Sequence, residues 1–186
     1  MAEMTGDRWS EIPAGQPFHR RMLNMTNEQA ERPEKMAHGL VEKRPKPCAV
    51  LAGTPSDSHT WNLLFVQLLL EENGWDVHNL GACVQPTMLV DESLRAKPDL
   101  VVISTVNGHG AQDARQVIAA LRAEPALAQV PVSLGGKLCV SEDRARDAVP
   151  GLLAAGFDAV LVGDTAVPDF QELLARVAAA RYARRP

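Results

Sequence analysis

Aromatic residues are scarce, 4% of 186 residues with a single Tyr. Few side chains are therefore available to sandwich a flavin or to stack on unpaired bases. Positive charge is not in excess either. The net charge is −4; residues 1–47 carry eight Lys and Arg against seven Asp and Glu, about +1, leaving about −5 for the rest. An acidic domain with few aromatics is not built to hold nucleic acid. Arg181, Arg184 and Arg185 read instead as the basic end of a C-terminal helix, complementing its dipole. There are only three cysteines, Cys48, Cys83 and Cys139, far apart and without a CxxC pair. That excludes a disulfide framework and reads as free thiols in a reducing compartment. No apolar run approaches the ~20 residues of a membrane span. The N-terminus lacks the apolar stretch of a signal peptide. The expectation is a cytoplasmic protein with no membrane and no nucleic acid among its partners.

What is present is an ordinary apolar content of 46%, enough for one well-buried domain with an appendage. Residues 1–46 form the appendage. Pro13, Pro17, Pro33, Pro45 and Pro47 punctuate this segment and its junction, and five of the six Met residues lie within it. It reads as an N-terminal extension, partly disordered or laid on a partner. A short helix over 27–40, capped by Thr26, would be interrupted by Pro33. The domain proper spans 47–186.

From Cys48 onward apolar strands alternate with helices. Strands are expected at 48–53, 75–80, 99–104, 130–134 and 159–162, and helices at 61–73, 87–97, 111–124, 142–155 and 168–183. Gly74, Pro98 and Gly156 mark helix stops. Such alternation implies right-handed crossovers and an α/β, flavodoxin-like (Rossmann-like) five-stranded parallel sheet of order 2-1-3-4-5, with helices on both faces. Trp61 and Trp75 are expected as packing residues. In this order strands 1 and 3 are neighbours at the switch point, where loops diverge and open a crevice at the carboxyl edge.

Three short motifs fall on that edge. Asp57-Ser58-His59 follows strand 1, Ser104-Thr105-Val106 ends strand 3, and Gly135-Gly136 follows strand 4. Each is weak alone; their order on one sheet carries the signal. A histidine on a long loop suits a metal, and a nearby Asp would fix its tautomer and raise its basicity. Paired glycines let a ligand pass close to the backbone. A phosphate cradle of Thr54, Ser56, Ser58 and Thr60, as in a flavodoxin-type protein, is the competing reading, but Asp57 within that loop would repel phosphate.

Together the motifs resemble the cobalamin-binding domains, whose signature is DxHxxG, then SxL, then GG. The nearest resemblance is to the small cobalamin-binding subunit of glutamate (methylaspartate) mutase, over roughly Cys48 to Val177. The loops Ser104–Gly110, Ser133–Lys137 and Gly163-Asp164-Thr165 share in it. The resemblance implies His59 as the lower axial ligand of cobalt in place of the cofactor's own base, with Asp57 hydrogen-bonded to it. It implies Ser104 against the displaced base and Gly135 and Gly136 along the nucleotide tail. Ser58, Thr60, Val106, Gly108, Gly163, Asp164 and Thr165 complete the cofactor-binding set. Asn62 stands where the motif has Gly, adding a polar side chain where the family leaves space, and Val106 replaces Leu.

The resemblance further implies a subunit of an adenosylcobalamin-dependent carbon-skeleton mutase. Such a subunit, not catalytic alone, holds the cofactor base-off and His-on in a hetero-oligomer with a large barrel subunit that carries the substrate site. Two alternatives share the fold: a corrinoid-binding regulator or light sensor, and a methyl-transfer corrinoid carrier. Carriers have a helical cap before the sheet that would need roughly sixty residues, more than the Pro-broken extension offers.

Overall fold

The computed structural model describes residues 45–183. The helix expected over 27–40 lies outside them. The elements run β1 (Cys48–Gly53), α1 (Trp61–Glu72), β2 (Asp76–Asn79), α2 (Pro86–Ala96), β3 (Leu100–Thr105), α3 (Gly110–Ala123), β4 (Val132–Gly136), α4 (Glu142–Ala154), β5 (Ala159–Leu161) and α5 (Ala166–Ala183). All five strands are parallel, in the order β2-β1-β3-β4-β5, as the alternation predicts.

The sheet is covered on both faces. Leu63 and Leu70 of α1 and Phe170, Leu173 and Leu174 of α5 pack on one face against Ala49, Leu51, Leu100 and Val102. Leu89 of α2, Val117, Ile118 and Leu121 of α3 and Leu152 of α4 pack on the other against Val50, Val101, Ile103 and Leu134. Neighbouring residues of one strand thus serve opposite cores, which is why β3 is apolar almost throughout and buried along its whole length. Each such side chain stabilises the fold by about 1.5–3 kcal/mol relative to exposure.

Two differences from the sequence expectation bear on function. β4 runs through the glycine pair instead of ending before it, and β3 runs one residue past Ser104. Ser104 pairs with Gly135, and Thr105 with Gly136, so both motifs are locked into one ladder. α1 ends where expected: Gly74, at φ +82, turns the chain after Asn73 and donates its N–H to the Glu71 carbonyl at 3.0 Å.

Arg122 of α3 ties the amino ends of β4 and β5 together. Its guanidinium donates to the carbonyls of Gly156, Leu127, Ala128 and Val130 and to Asp158, whose carboxylate also accepts the Val132 N–H at 2.7 Å. Arg122→Met keeps most of the stem but leaves these acceptors unpaired. We expect it to lower stability by about 2–3 kcal/mol in a urea melt. A loss below about 0.5 kcal/mol would show that water replaces the guanidinium.

Candidate functional site

The loop 54–60 between β1 and α1 is pinned around one carboxylate. Asp57 N–H donates to the Thr54 carbonyl at 3.1 Å, and the Asp57 carbonyl accepts the Cys83 N–H at 3.0 Å. The Asp57 side chain is thereby turned inward, only 1% exposed. Oδ1 accepts from the His59 N–H at 3.0 Å and from His59 Nδ1 at 2.6 Å; Oδ2 accepts from the Thr105 hydroxyl at 2.8 Å and the Val106 N–H at 2.6 Å. Burial by itself would raise the Asp57 pKa. The hydrogen bonds from Val106, from the His59 backbone and ring, and from Thr105 outweigh it and hold the value down to about 2.

An ionised carboxylate only accepts, so His59 carries its proton on Nδ1, and in the neutral ring Nε2 keeps its lone pair. The His59 ring is about half exposed, 48%, and Nε2 has no hydrogen-bond partner among the described residues. The loop hydroxyls are not arranged as a phosphate cradle. Thr54 donates to Thr105 at 3.1 Å, and the N–H and hydroxyl of Ser56 both point to the Asp113 carboxylate. Ser58 and Thr60 are exposed on either side of His59.

Two residues after His59 the chain enters α1, and Trp61 and Asn62 begin the wall of a cavity of about 190 Å3 between α1, α5 and the sheet. Ser104, Val106, Gly135 and Gly136 line it from the strands; Phe65, Val66 and Leu69 line it from α1, and Val167 and Phe170 from α5. Four of the expected site residues thus share one wall. Asn62 is 5% exposed, and its Nδ2 donates to Ser104 Oγ at 3.0 Å, so the polar side chain at the motif's glycine position is built into the cavity.

The two glycines differ. A Cβ on Gly135 would meet Leu161 Cβ at 3.5 Å, an ordinary contact, whereas one on Gly136, at φ +104, would lie 2.2 Å from the Thr105 carbonyl oxygen. Gly136 serves the strand pairing, and Gly135 keeps the cavity wall bare. Gly108, at φ +79, turns the chain after β3 and packs near Val140 without lining this cavity. Gly163 lines a neighbouring hollow with Gly136 and Lys137. Asp164 and Thr165 are exposed on the turn leading into α5.

Trp61 corrects an expectation. Trp75 packs at 1% exposure as anticipated, but Trp61 is 64% exposed at the cavity rim, because α1 turns only Leu63 and its partners into the core. Two residues of the quoted motifs have roles that the sequence did not assign. Thr105 holds the Asp57 carboxylate. Ser133 lines the cavity, fully buried, and its signal was available: a lone hydroxyl in an apolar strand, two residues before Gly135 and so on the same face.

Residues 47–166 match the model of the B12 binding domain family. The glutamate mutase sigma subunit of Halobacterium salinarum is 31% identical over 121 residues, 64% of this chain and 78% of that protein. The protein of the same name from Fusobacterium nucleatum is 26% identical over 114 residues, 61% of this chain and 83% of that one. Among solved structures, a cobalamin-binding protein from Desulfitobacterium hafniense superposes with a TM-score of 0.56 at 24% identity, covering 70% of this chain and 58% of that one. The methanol:cobalamin methyltransferase complex of Methanosarcina barkeri gives a TM-score of 0.57 at 19% identity, covering 75% and 50% respectively. This chain therefore spans about half the length of those structures, and the likeness to them is one of fold. With the match extending over both the pinned His59 loop and the glycine-lined cavity, the chain belongs to the B12 binding domain family.

Proposed function

We propose that this chain is the cofactor-carrying subunit of an adenosylcobalamin-dependent carbon-skeleton mutase of the glutamate mutase type, with residues 47–186 holding the corrinoid. The observation that carries this reading is the buried Asp57 carboxylate fixing His59 Nδ1 at 2.6 Å beside a cavity with a bare glycine wall. The residues fit a corrinoid whose lower base is displaced. An apolar cavity of about 150 Å3 accepts benzene, and this one, at about 190 Å3, is larger and lined largely by apolar side chains.

In this assignment His59 Nε2 would ligate the cobalt, and Asp57 would orient the ring and fix its tautomer. Asn62 and Ser104 would meet the displaced base, and Gly135 and Gly136 would leave room for the nucleotide tail against the backbone. Val106 lines the cavity, and Gly108, Ser58, Thr60, Gly163, Asp164 and Thr165 would complete the cofactor contacts outside it. When bound, the corrinoid supplies radical chemistry through its cobalt–carbon bond. The chain's own part is to bind, to hold His59 in one tautomer and to keep water from the base.

The mutase reading over a methyl carrier is supported by the curated relatives, both named as sigma subunits of glutamate mutase and matched over about four fifths of their length. A partner subunit carrying the substrate site is supported by α1. Leu64 and Leu68, 57% and 51% exposed, extend the apolar rim of Trp61 and Phe65 at spacings of three and four residues, beyond anything the cavity uses.

Mixed with adenosylcobalamin, the chain is expected to retain the cofactor through gel filtration with a base-off, His-on absorption spectrum. His59→Ala is expected to lose the nitrogen-ligated spectrum and to bind about tenfold or more weakly. Identical spectra for the two proteins would overturn His59 as the ligand.

A further inference from the structure

α1 is apolar on more sides than its own domain covers. Eight of its first ten residues are apolar, the composition of a helix surrounded by protein. The sheet takes Leu63 and Leu70, and Val66 and Leu69 pack beside them. Trp61, Leu64, Phe65 and Leu68 remain, all more than half exposed. Their spacing of three and four residues places them in one stripe along the helix. The next positions of that stripe are Glu71 and Glu72, both exposed.

The two ends of the stripe differ in charge. Glu71 and Glu72 lie in the last turn of α1 with no basic residue beside them there, where the helix dipole opposes a carboxylate. The first turn holds no acidic residue, and Thr60 makes no side-chain cap. The N–H groups that open the helix are left without the partner that a capping side chain supplies.

One occupant answers both ends: a second copy laid antiparallel across a two-fold axis. An axis between Leu64 and Phe65 sets Trp61 opposite Leu68 of the other copy, and Leu64 opposite its Phe65. Every level of the stripe then meets an aromatic ring with a leucine. The same register carries Glu71 and Glu72 onto the uncapped start of the other α1, whereas a parallel pair would crowd four glutamates together. We infer that this chain, when free of the catalytic subunit proposed above, pairs with a second copy through antiparallel α1 helices. The stripe exposes about 400 Å2 of apolar surface per copy. The pair therefore buries about 800 Å2 from it, in the range of weak and transient association. The catalytic subunit would take the same face, so the pair precedes assembly and gives way to it.

The test is sedimentation equilibrium of the full chain, without cobalamin and under a reducing agent that keeps the exposed Cys83 from cross-linking copies. No cofactor enters the measurement, so its outcome is independent of the cofactor reading. A monomer–dimer equilibrium is expected, with a dissociation constant on the order of tens of micromolar. Leu64→Glu, at an exposed position, is expected to melt like wild type and to weaken the pair at least about 30-fold, by setting an unpaired charge against Phe65. Replacing Glu71 and Glu72 together with Gln is expected to weaken it about two- to tenfold. A tighter pair in that variant overturns the antiparallel register, and a pair indifferent to Leu64→Glu overturns α1 as the contact. A monomer at about 500 µM overturns the inference outright. Iodide quenching, compared with Trp61→Phe, then names the occupant. A shielded Trp61 would mean cover by residues 1–44 of the same chain, and a freely quenched one a face kept for another protein.

Discussion

Gly136→Ala is expected to destabilise the domain by about 4 kcal/mol or more, whereas Gly135→Ala, one residue earlier, is expected to fold normally and lose the cofactor. The added methyl at position 136 would stand 2.2 Å from the Thr105 carbonyl oxygen, backbone that cannot swing aside. That carbonyl also accepts the Lys137 N–H at 2.8 Å, so relief requires parting β3 from β4 where the ladder closes. The backbone adds its own cost, since φ +104 is a region that side-chain-bearing residues occupy at about 1–3 kcal/mol. Together these consume much of the roughly 5–15 kcal/mol that holds a domain folded.

At position 135 the methyl meets Leu161 at 3.5 Å, a normal contact, and a strand interior gains slightly when Gly becomes Ala. What changes is the cavity wall beside Ser104. Affinity for adenosylcobalamin is expected to fall at least about tenfold, the effect of a misplaced methyl group in a close-fitting pocket. Thermal melts by circular dichroism and dialysis against the cofactor separate the two effects. A normally melting Gly136→Ala, or a Gly135→Ala that binds like wild type, would sink the division of labour.

That division was not legible in the sequence. The pair Gly135-Gly136 reads as one motif, and only the approach of β3 to β4 shows that both line the cavity while Gly136 alone has no room for a Cβ. The sheet order, by contrast, was readable, because strands buried on both faces and bounded by Gly and Pro leave few alternatives. His59 and Asp57 were readable as a pair, since their spacing of two lets a side chain on one reach the other within a single loop. Thr105 was not. Its role depends on β1 and β3 lying side by side, which places residues 48 apart within 2.8 Å. Trp61 was misjudged for a related reason: α1 is apolar on two sides, and periodicity cannot say which side the sheet takes.

Replacing Asp57 with Asn is the second large effect, and it has a pH signature. Each carboxylate oxygen accepts two donors: Oδ1 the His59 backbone and ring, Oδ2 the Thr105 hydroxyl and the Val106 N–H. An amide supplies only one such oxygen. Its N–H2 would face two donors at a site 1% exposed, so at pH 7 we expect Asp57→Asn to cost about 3 kcal/mol. The wild-type advantage depends on charge. The folded pKa is depressed from 3.8 to about 2, so the stabilisation from ionisation is fully present above the unfolded value. It is then lost as pH falls from about 4 through about 2, and amounts to roughly 2 kcal/mol. Urea melts of both proteins at pH 7 and pH 2 should therefore show a gap that narrows by about that amount in acid. The consequence for function is separate. Without a carboxylate to hold the proton on Nδ1, His59 is free to take the other tautomer and to turn. Cofactor affinity in Asp57→Asn should fall by about 10–100-fold even where the protein remains folded. A gap that stays constant with pH would mean that the carboxylate is held by shape alone, and an unchanged affinity would remove Asp57 from the site.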